Sequence, residues 1–161
     1  MDDKTEQPMP ALRDLIDRKR VGMLTTIKQT LNSRPITTLE IEGADTVWFM
    51  TAADGSIARE VNADARVCVS YMADDDYVSL RGMANVVTDR SRIQALWNPA
   101  YSVWFEGPDD PNIALLRVVV EEVELWDTPS TTVGRLFALA KAVATGDSAA
   151  LGMHARGAPA A

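Results

Sequence analysis

The segment from Ser33 to Met72 constrains the fold more than any other part of the chain. Within forty residues it holds three short runs rich in β-branched and aromatic residues, separated by turn residues. Such runs predict antiparallel β-strands, and a short helical run precedes the third. The strands are predicted at 33–39, 46–51 and 66–72, and the helical run at 57–62.

The same segment has the pattern of an anion-binding site. A strand that ends at Thr51 and runs through Gly55 and Ser56 into a helix aims backbone N–H groups and hydroxyls at one point. Arg34 can add a planar, permanently charged group. An ordinary helix N-cap beside a surface arginine gives the same pattern. Local pattern alone favours this simpler interpretation, because short anion-site patterns have many false positives.

Composition excludes several classes of protein. The 161 residues fit a single domain, since domains commonly run about 100–200 residues. No apolar run reaches the roughly 18 residues that a bilayer span needs, and the polar N-terminus does not resemble a secretion signal. We therefore expect a cytoplasmic protein that does not act at a membrane. The net charge of −7 argues against nucleic acid as a partner.

The remaining pattern completes a mainly β domain over residues 8–146, with covering helices near both ends. Apolar spacing predicts an N-terminal helix with Leu12, Leu15 and Ile16 on one face. Gly82 in the fifth strand marks a bulge or a close backbone approach. Residues 147–161 are predicted to be a flexible tail. Further elements are predicted at 21–27 (strand), 77–87 (strand), 90–96 (helix), 115–126 (strand) and 130–145 (helix).

Aromatic residues concentrate between Trp97 and Phe105, where four occur within nine positions. Such a cluster fits a hydrophobic core and equally fits a surface that stacks on a flat ligand. The sequence leaves both interpretations open.

Residues for several common reaction types are absent. His154 is the only histidine, which disfavours a Ser-His-Asp or Cys-His mechanism and a histidine-based metal site. Neither GxGxxG nor GxxxxGK[ST] occurs. Cys68, inside an apolar run, is predicted to be a core residue. No metal site is predicted, and demanding chemistry would need a bound cofactor.

Taken together, these segments resemble the pyridoxamine 5′-phosphate oxidase-like FMN-binding split barrels, most closely the general stress protein 26 branch. The resemblance covers roughly residues 10–155. It implies a six-stranded antiparallel split barrel that forms a homodimer, with two FMN molecules in grooves at the interface. The matching features are Ser33–Ile36, Trp48–Thr51, the spacing from Thr51 to Ala65–Val67, Trp97–Phe105, and Asp110–Val118 running on to Glu124–Asp127.

The resemblance also implies roles for individual residues. Arg34 would hold the flavin phosphate, and Trp126 would contact flavin across the interface. Trp97 or Trp104 would close the groove from the partner subunit. The other implied contacts are Pro35 and Ile36 (backbone to the isoalloxazine ring), Phe49, Met50 and Thr51 (ring and ribityl chain), Ser56 and Ile57 (phosphate loop) and Tyr77 (a polar contact).

The phosphate loop departs from the family pattern. Relatives usually have a serine and, two positions later, a lysine where this chain has Gly55 and Ile57. Loss of that ion pair would cost about 1.5–3 kcal/mol, with Ser56, Arg59 and the helix N-terminus as compensation. A flavin with a different phosphate arrangement, such as FAD, is therefore an alternative to FMN.

The substrate segment of the oxidase, Arg-Leu-His-Asp-Arg, is not reproduced, so pyridoxamine phosphate oxidation is not predicted. The expected function is that of a dimeric flavin-binding stress-type protein with flavin-dependent redox activity, for which a nicotinamide cofactor is a candidate electron donor. The alternatives are non-enzymatic flavin storage or sensing, and a degenerate barrel that has lost its cofactor.

Overall fold

The computed structural model describes residues 8–74, 76–127 and 153–157, which form a β-sheet with short covering helices. In chain order the elements are α1 (Pro8–Arg18), β1 (Val21–Ile27), β2 (Leu31–Glu42), β3 (Thr46–Ala52), α2 (Ser56–Ala63), β4 (Arg66–Ala73), β5 (Asp76–Val87), α3 (Arg90–Leu96), a 3₁₀ helix (Pro99–Val103), β6 (Ile113–Asp127) and β7 (Met153–Gly157).

Six strands close into an antiparallel barrel. Neighbouring strands follow the order β3-β2-β1-β4-β5-β6, and β6 returns to pair with β3. The 15-residue β6 makes closure possible, because its first half pairs with β3 while nearly its whole length pairs with β5. The predicted six-stranded antiparallel barrel is confirmed.

The barrel interior is filled by side chains from alternating strand positions. Its fully buried residues include Leu24, Phe49, Val69, Leu80 and Val123. The hydroxyls of Thr38 and Tyr71 hydrogen-bond to each other inside this core at 2.7 Å, which satisfies two polar groups that would be costly to bury alone.

Helices α1 and α2 cover opposite ends of the barrel. At one end Leu15 and Ile16 of α1 are buried in the main core, and Arg18 reaches Asp76 beside the β4–β5 turn at 2.9 Å. At the other end Val61 of α2 joins the same core, and Glu60 of α2 reaches Thr26 near the end of β1. The predicted apolar face of the N-terminal helix thus packs on the sheet at Leu15 and Ile16.

Gly82 lies at a β-bulge, as predicted. The register of β5 on β6 shifts between Arg81, which faces Glu122, and Gly82, which faces Val120. A Cβ atom at Gly82 would lie 2.0 Å from the Val119 carbonyl oxygen. Only glycine allows the two backbones to approach this closely.

The predicted flexible tail is wrong for five of its residues. Met153–Gly157 form β7, which pairs antiparallel with Val123–Asp127 of β6. The second half of β6 extends beyond its pairing with β3, so its free edge offers backbone donors and acceptors to another strand. The predicted helix at 130–145 lies outside the described residues. None of the helices that the structure describes is long and apolar enough to cross a membrane.

We expect Gly82→Ala to lower the free energy of unfolding by roughly 1–3 kcal/mol, because the added methyl group forces β5 and β6 apart. Gly107→Ala is the matched control, since a Cβ there meets nothing within 4 Å. Urea denaturation of both variants checks this prediction, and equal stabilities would contradict it.

Candidate functional site

The candidate site begins where β2 and β3 separate. Their pairing ends at Thr38 and Phe49. Beyond this point β2 stays paired with β1 over residues 31–37, whereas Met50–Ala52 stay paired with β6. The divergence uncovers the first half of β2, and Arg34 lies in this uncovered part, on the same face as Ile36 and Thr38. This is one corner of the barrel, next to α2.

Arg34 is held by a carboxylate at this corner. Its Nη2 donates to Oε2 of Glu60 on α2 and to the Thr26 hydroxyl on β1. The Thr26 hydroxyl in turn donates to the same Glu60 oxygen. The side chain of Arg34 is 23% exposed and that of Glu60 only 11%. Arg34 is therefore part of a mostly buried ion pair rather than a free surface arginine.

One donor of Arg34 lacks an acceptor. Its Nε is buried and has no hydrogen-bond partner among the described residues. A buried N–H without an acceptor costs about 1–3 kcal/mol. An acceptor brought to this corner, such as a phosphate oxygen, would remove that penalty.

The first turn of α2 adds backbone donors. Gly55 occupies the N-cap position and supplies no side-chain acceptor for the first-turn amides. Ser56, the first helical residue, is exposed. An uncapped helix N-terminus of this kind attracts anions.

Asn112 fixes the loop that leads into α2. Its backbone oxygen accepts from the Ala53 N–H at 2.7 Å, and its Oδ1 accepts from the Asp54 N–H at 3.1 Å. Asp110 holds Asn112 by accepting from its N–H at 2.8 Å. Hydrogen bonds from the backbone of Asn112 and Glu106 lower the pKa of Asp110. The ionised carboxylate of Asp110 thus holds Asn112, and Asn112 holds the loop.

The donors at this corner suit a phosphate, but the local charge is weak. Arg34 is already neutralised by Glu60. Ile57, at the position where the resemblance leads us to expect a lysine, is partly buried and packs against the main core. Arg59 donates to the Asp54 carbonyl oxygen. The corner therefore offers a phosphate-bearing ligand several hydrogen-bond donors but little net positive charge.

A second candidate surface lies on the outer face of β4, β5 and β6. Tyr77 pairs across the strands with both Met72 and Trp126. Their exposures are 46%, 60% and 39%, respectively. They adjoin an open depression lined by Ser70, Tyr71, Tyr77, Val78, Ser79 and Trp126. Exposed apolar side chains grouped on a sheet mark a surface that binds another molecule.

The aromatic block divides between core and surface. Trp97, Tyr101 and Phe105 pack against a second buried cluster that includes Trp48 and Met50. Ring contacts at 6.2 and 6.3 Å link Trp97 to Tyr101 and Tyr101 to Trp104. Trp104 is 70% exposed. The core interpretation therefore holds for most of the block, while Trp104 remains available to a ligand.

The other residues that the sequence predicts for the site differ in whether their side chains are exposed to a ligand. The side chains of Phe49 and Ile36 are buried in the main core, and that of Met50 is buried in the second cluster. Pro35 is exposed, and Thr51 is buried at the end of β3. Phe49 and Ile36 can thus offer a ligand their backbone only.

Three residues at the corner were not found from the sequence. Glu60 and Thr26 fit ordinary helix and strand positions, so no local pattern marks them. Asn112 was noted only as part of a matching segment, and its bond to the loop at Asp54 joins positions far apart in the chain. Only the fold brings these residues together.

Comparison with known proteins decides the family. The family model described as "Pyridoxamine 5'-phosphate oxidase like" matches residues 7–150. The chain belongs to this family. General stress protein 26 of Bacillus subtilis is 25% identical over 124 residues, which cover 74% of this chain and 88% of that protein. The resemblance drawn from the sequence is confirmed.

Solved structures agree with the family assignment. General stress protein 26 from Bacillus anthracis has a TM-score of 0.67 at 19% identity, covering 73% of this chain and 92% of that one. The general stress FMN/FAD binding protein of Xanthomonas citri has a TM-score of 0.64 at 28% identity, covering 74% and 87%. This family member therefore shares its fold with a flavin-binding relative.

We expect Arg34→Met to lower the free energy of unfolding by about 2 kcal/mol, because it leaves the Glu60 carboxylate buried without its cation. Adding Glu60→Gln to this variant should restore at least half of the loss. Urea denaturation of the single and double variants measures the coupling.

Arg66→Met is the matched control for this prediction. Its partner Asp64 lies 2.6 Å away, but the Arg66 side chain is 67% exposed, and exposed pairs contribute little. If Arg66→Met lowered the free energy of unfolding as much as Arg34→Met, burial of the Arg34–Glu60 pair could not be the cause of the larger expected effect.

Proposed function

We propose that this protein binds a flavin nucleotide, FMN or FAD, with the phosphate at the Arg34 corner. The observation that carries the proposal is the buried Nε of Arg34, which has no acceptor among the described residues. Arg34 contacts α2 through Glu60, and the N-terminus of this helix has no side-chain cap. Family membership supports the same ligand, because the Xanthomonas citri relative is an FMN/FAD binding protein.

We propose further that the flavin lies between two subunits of a homodimer. Tyr77 is on β5, which is separated from β2 by β4 and β1. In the closed barrel β5 is three strands away from β2 in either direction, so Tyr77, together with Trp126 with which it pairs, lies on the side of the barrel opposite Arg34. A flavin ring held near Pro35 of one subunit would meet Tyr77 and Trp126 of the other more readily than those of its own.

Exposed apolar side chains support a dimer contact through the outer face of the barrel. Besides Tyr77 and Trp126, this face carries Val21, Met23, Met72 and Met83. Their strands are direct neighbours in the barrel, so these side chains form one surface rather than scattered positions. Association of two copies would remove that surface from water.

The bound flavin would supply redox chemistry, and the protein would supply binding and position. Burial raises the pKa of Tyr71, whose hydroxyl is hydrogen-bonded to Thr38. Tyr71 is therefore neutral and is not a base at the outer surface. We propose an oxidoreductase that takes electrons from a nicotinamide cofactor. Flavin storage or sensing is the second candidate, because the Glu60 carboxylate at the Arg34 corner is already paired with Arg34.

The visible spectrum of the purified protein tests the proposal, and we expect flavin absorption or saturable binding on titration with FMN or FAD.

Ile57→Lys should tighten FMN binding roughly tenfold by adding the missing cation, since the aliphatic part of lysine can keep the packing of Ile57. A folded protein that binds neither flavin, with or without this change, would instead indicate a barrel that has lost its cofactor.

We expect the wild-type protein to sediment with twice the mass of one chain. Met72→Glu should shift it toward the monomer, because the change places a charge in the apolar face. Ala95→Glu, an exposed position on α3, is the control and should leave the mass unchanged. A wild-type monomer would contradict the dimer.

A further inference from the structure

The ion pair between Arg34 and Glu60 determines how much charge the corner offers a ligand. Glu60 lies on the buried side of α2, and its Oε2 receives hydrogen bonds from both Arg34 and Thr26. The carboxylate therefore neutralises the guanidinium from inside the fold. This inference rests on the proposed function, because it concerns the phosphate of a flavin at the same corner.

Flavins differ in the charge that they would bring to Arg34. The phosphomonoester of FMN carries about −1.5 to −2 at neutral pH, by analogy with other phosphomonoesters. Each phosphate of the FAD diphosphate carries a single negative charge, and riboflavin has no phosphate. A phosphomonoester approaching Arg34 meets the Glu60 carboxylate as well, and like charges repel strongly where water is excluded.

We propose that Glu60 is an internal counter-anion that competes with the ligand phosphate for Arg34. Its effect is to weaken the binding of a phosphomonoester and to shift the preference of the site from FMN toward FAD. Among the described residues of α2, position 57 is isoleucine, and the remaining cation, Arg59, donates to the Asp54 carbonyl oxygen rather than to Glu60. Glu60 is thus a specificity-determining residue.

Glu60→Gln tests the proposal, because glutamine keeps the length of the side chain and removes its charge. Titrations with riboflavin, FMN and FAD, followed by flavin fluorescence, measure the three affinities. We expect FMN to bind roughly tenfold more tightly to the variant, equivalent to about 1.4 kcal/mol. FAD should gain less, and riboflavin should be unchanged.

Asp64→Asn is the matched control. It removes one negative charge at the other end of α2, where Asp64 pairs with Arg66 at 2.6 Å. The three affinities should stay at their wild-type values in this variant. An equal gain in FMN affinity would overturn the proposal, because the effect would then come from net charge.

The remaining outcomes separate this inference from the proposed function. Unchanged or weaker FMN binding in a folded Glu60→Gln variant would overturn the role of Glu60, since a carboxylate that only orients Arg34 gives that result. Flavin binding as such would still stand. Absence of flavin binding in wild type and variant would overturn both proposals.

The wild-type protein offers a second test that does not depend on the folding of a variant. The competition predicts that FAD binds at least as tightly as FMN. Tenfold tighter binding of FMN than of FAD would overturn the proposed preference.

Discussion

The structure depends on one strand that pairs along both of its edges. β6 closes the barrel by joining β3 to β5, and it accepts β7 where β3 ends. The long strand fits this position only because Gly82 lets the two backbones meet at the bulge. Without closure through β6, β3 would be an open edge and the main core would be exposed on one side.

The closure of the barrel through β6 and the separation of β3 from β2 are linked. β3 follows β6 as far as Ile113 and for that reason leaves β2 after Phe49. The result is an uncovered stretch of β2, where Glu60 of α2 contacts Arg34. The candidate site therefore arises from the way the barrel closes, and the loop held by Asn112 completes it.

Much of the fold follows from the sequence, because alternation and turn residues are local signals. They placed β1 to β6, α1, α3 and the bulge at Gly82 close to their observed positions. β7 was missed because its pairing depends on the free edge of β6 and not on a local pattern. At the candidate site, Arg34 was predicted from its strand and its neighbours, whereas Glu60 was not. A buried acid on a short helix looks like a solvent-facing one until its partner on β2 is known.

The filled barrel has an optical consequence. None of the four tryptophans belongs to the main core: Trp48 and Trp97 lie in or against the second cluster, while Trp104 and Trp126 are exposed. Trp48 donates to Glu42 and lies beneath the Arg92 guanidinium, 4.9 Å from its ring centre. Tryptophan emission from this protein therefore reports on the barrel surface and on the second cluster, and not on the main core, whose aromatic residues include Tyr71 and Phe49.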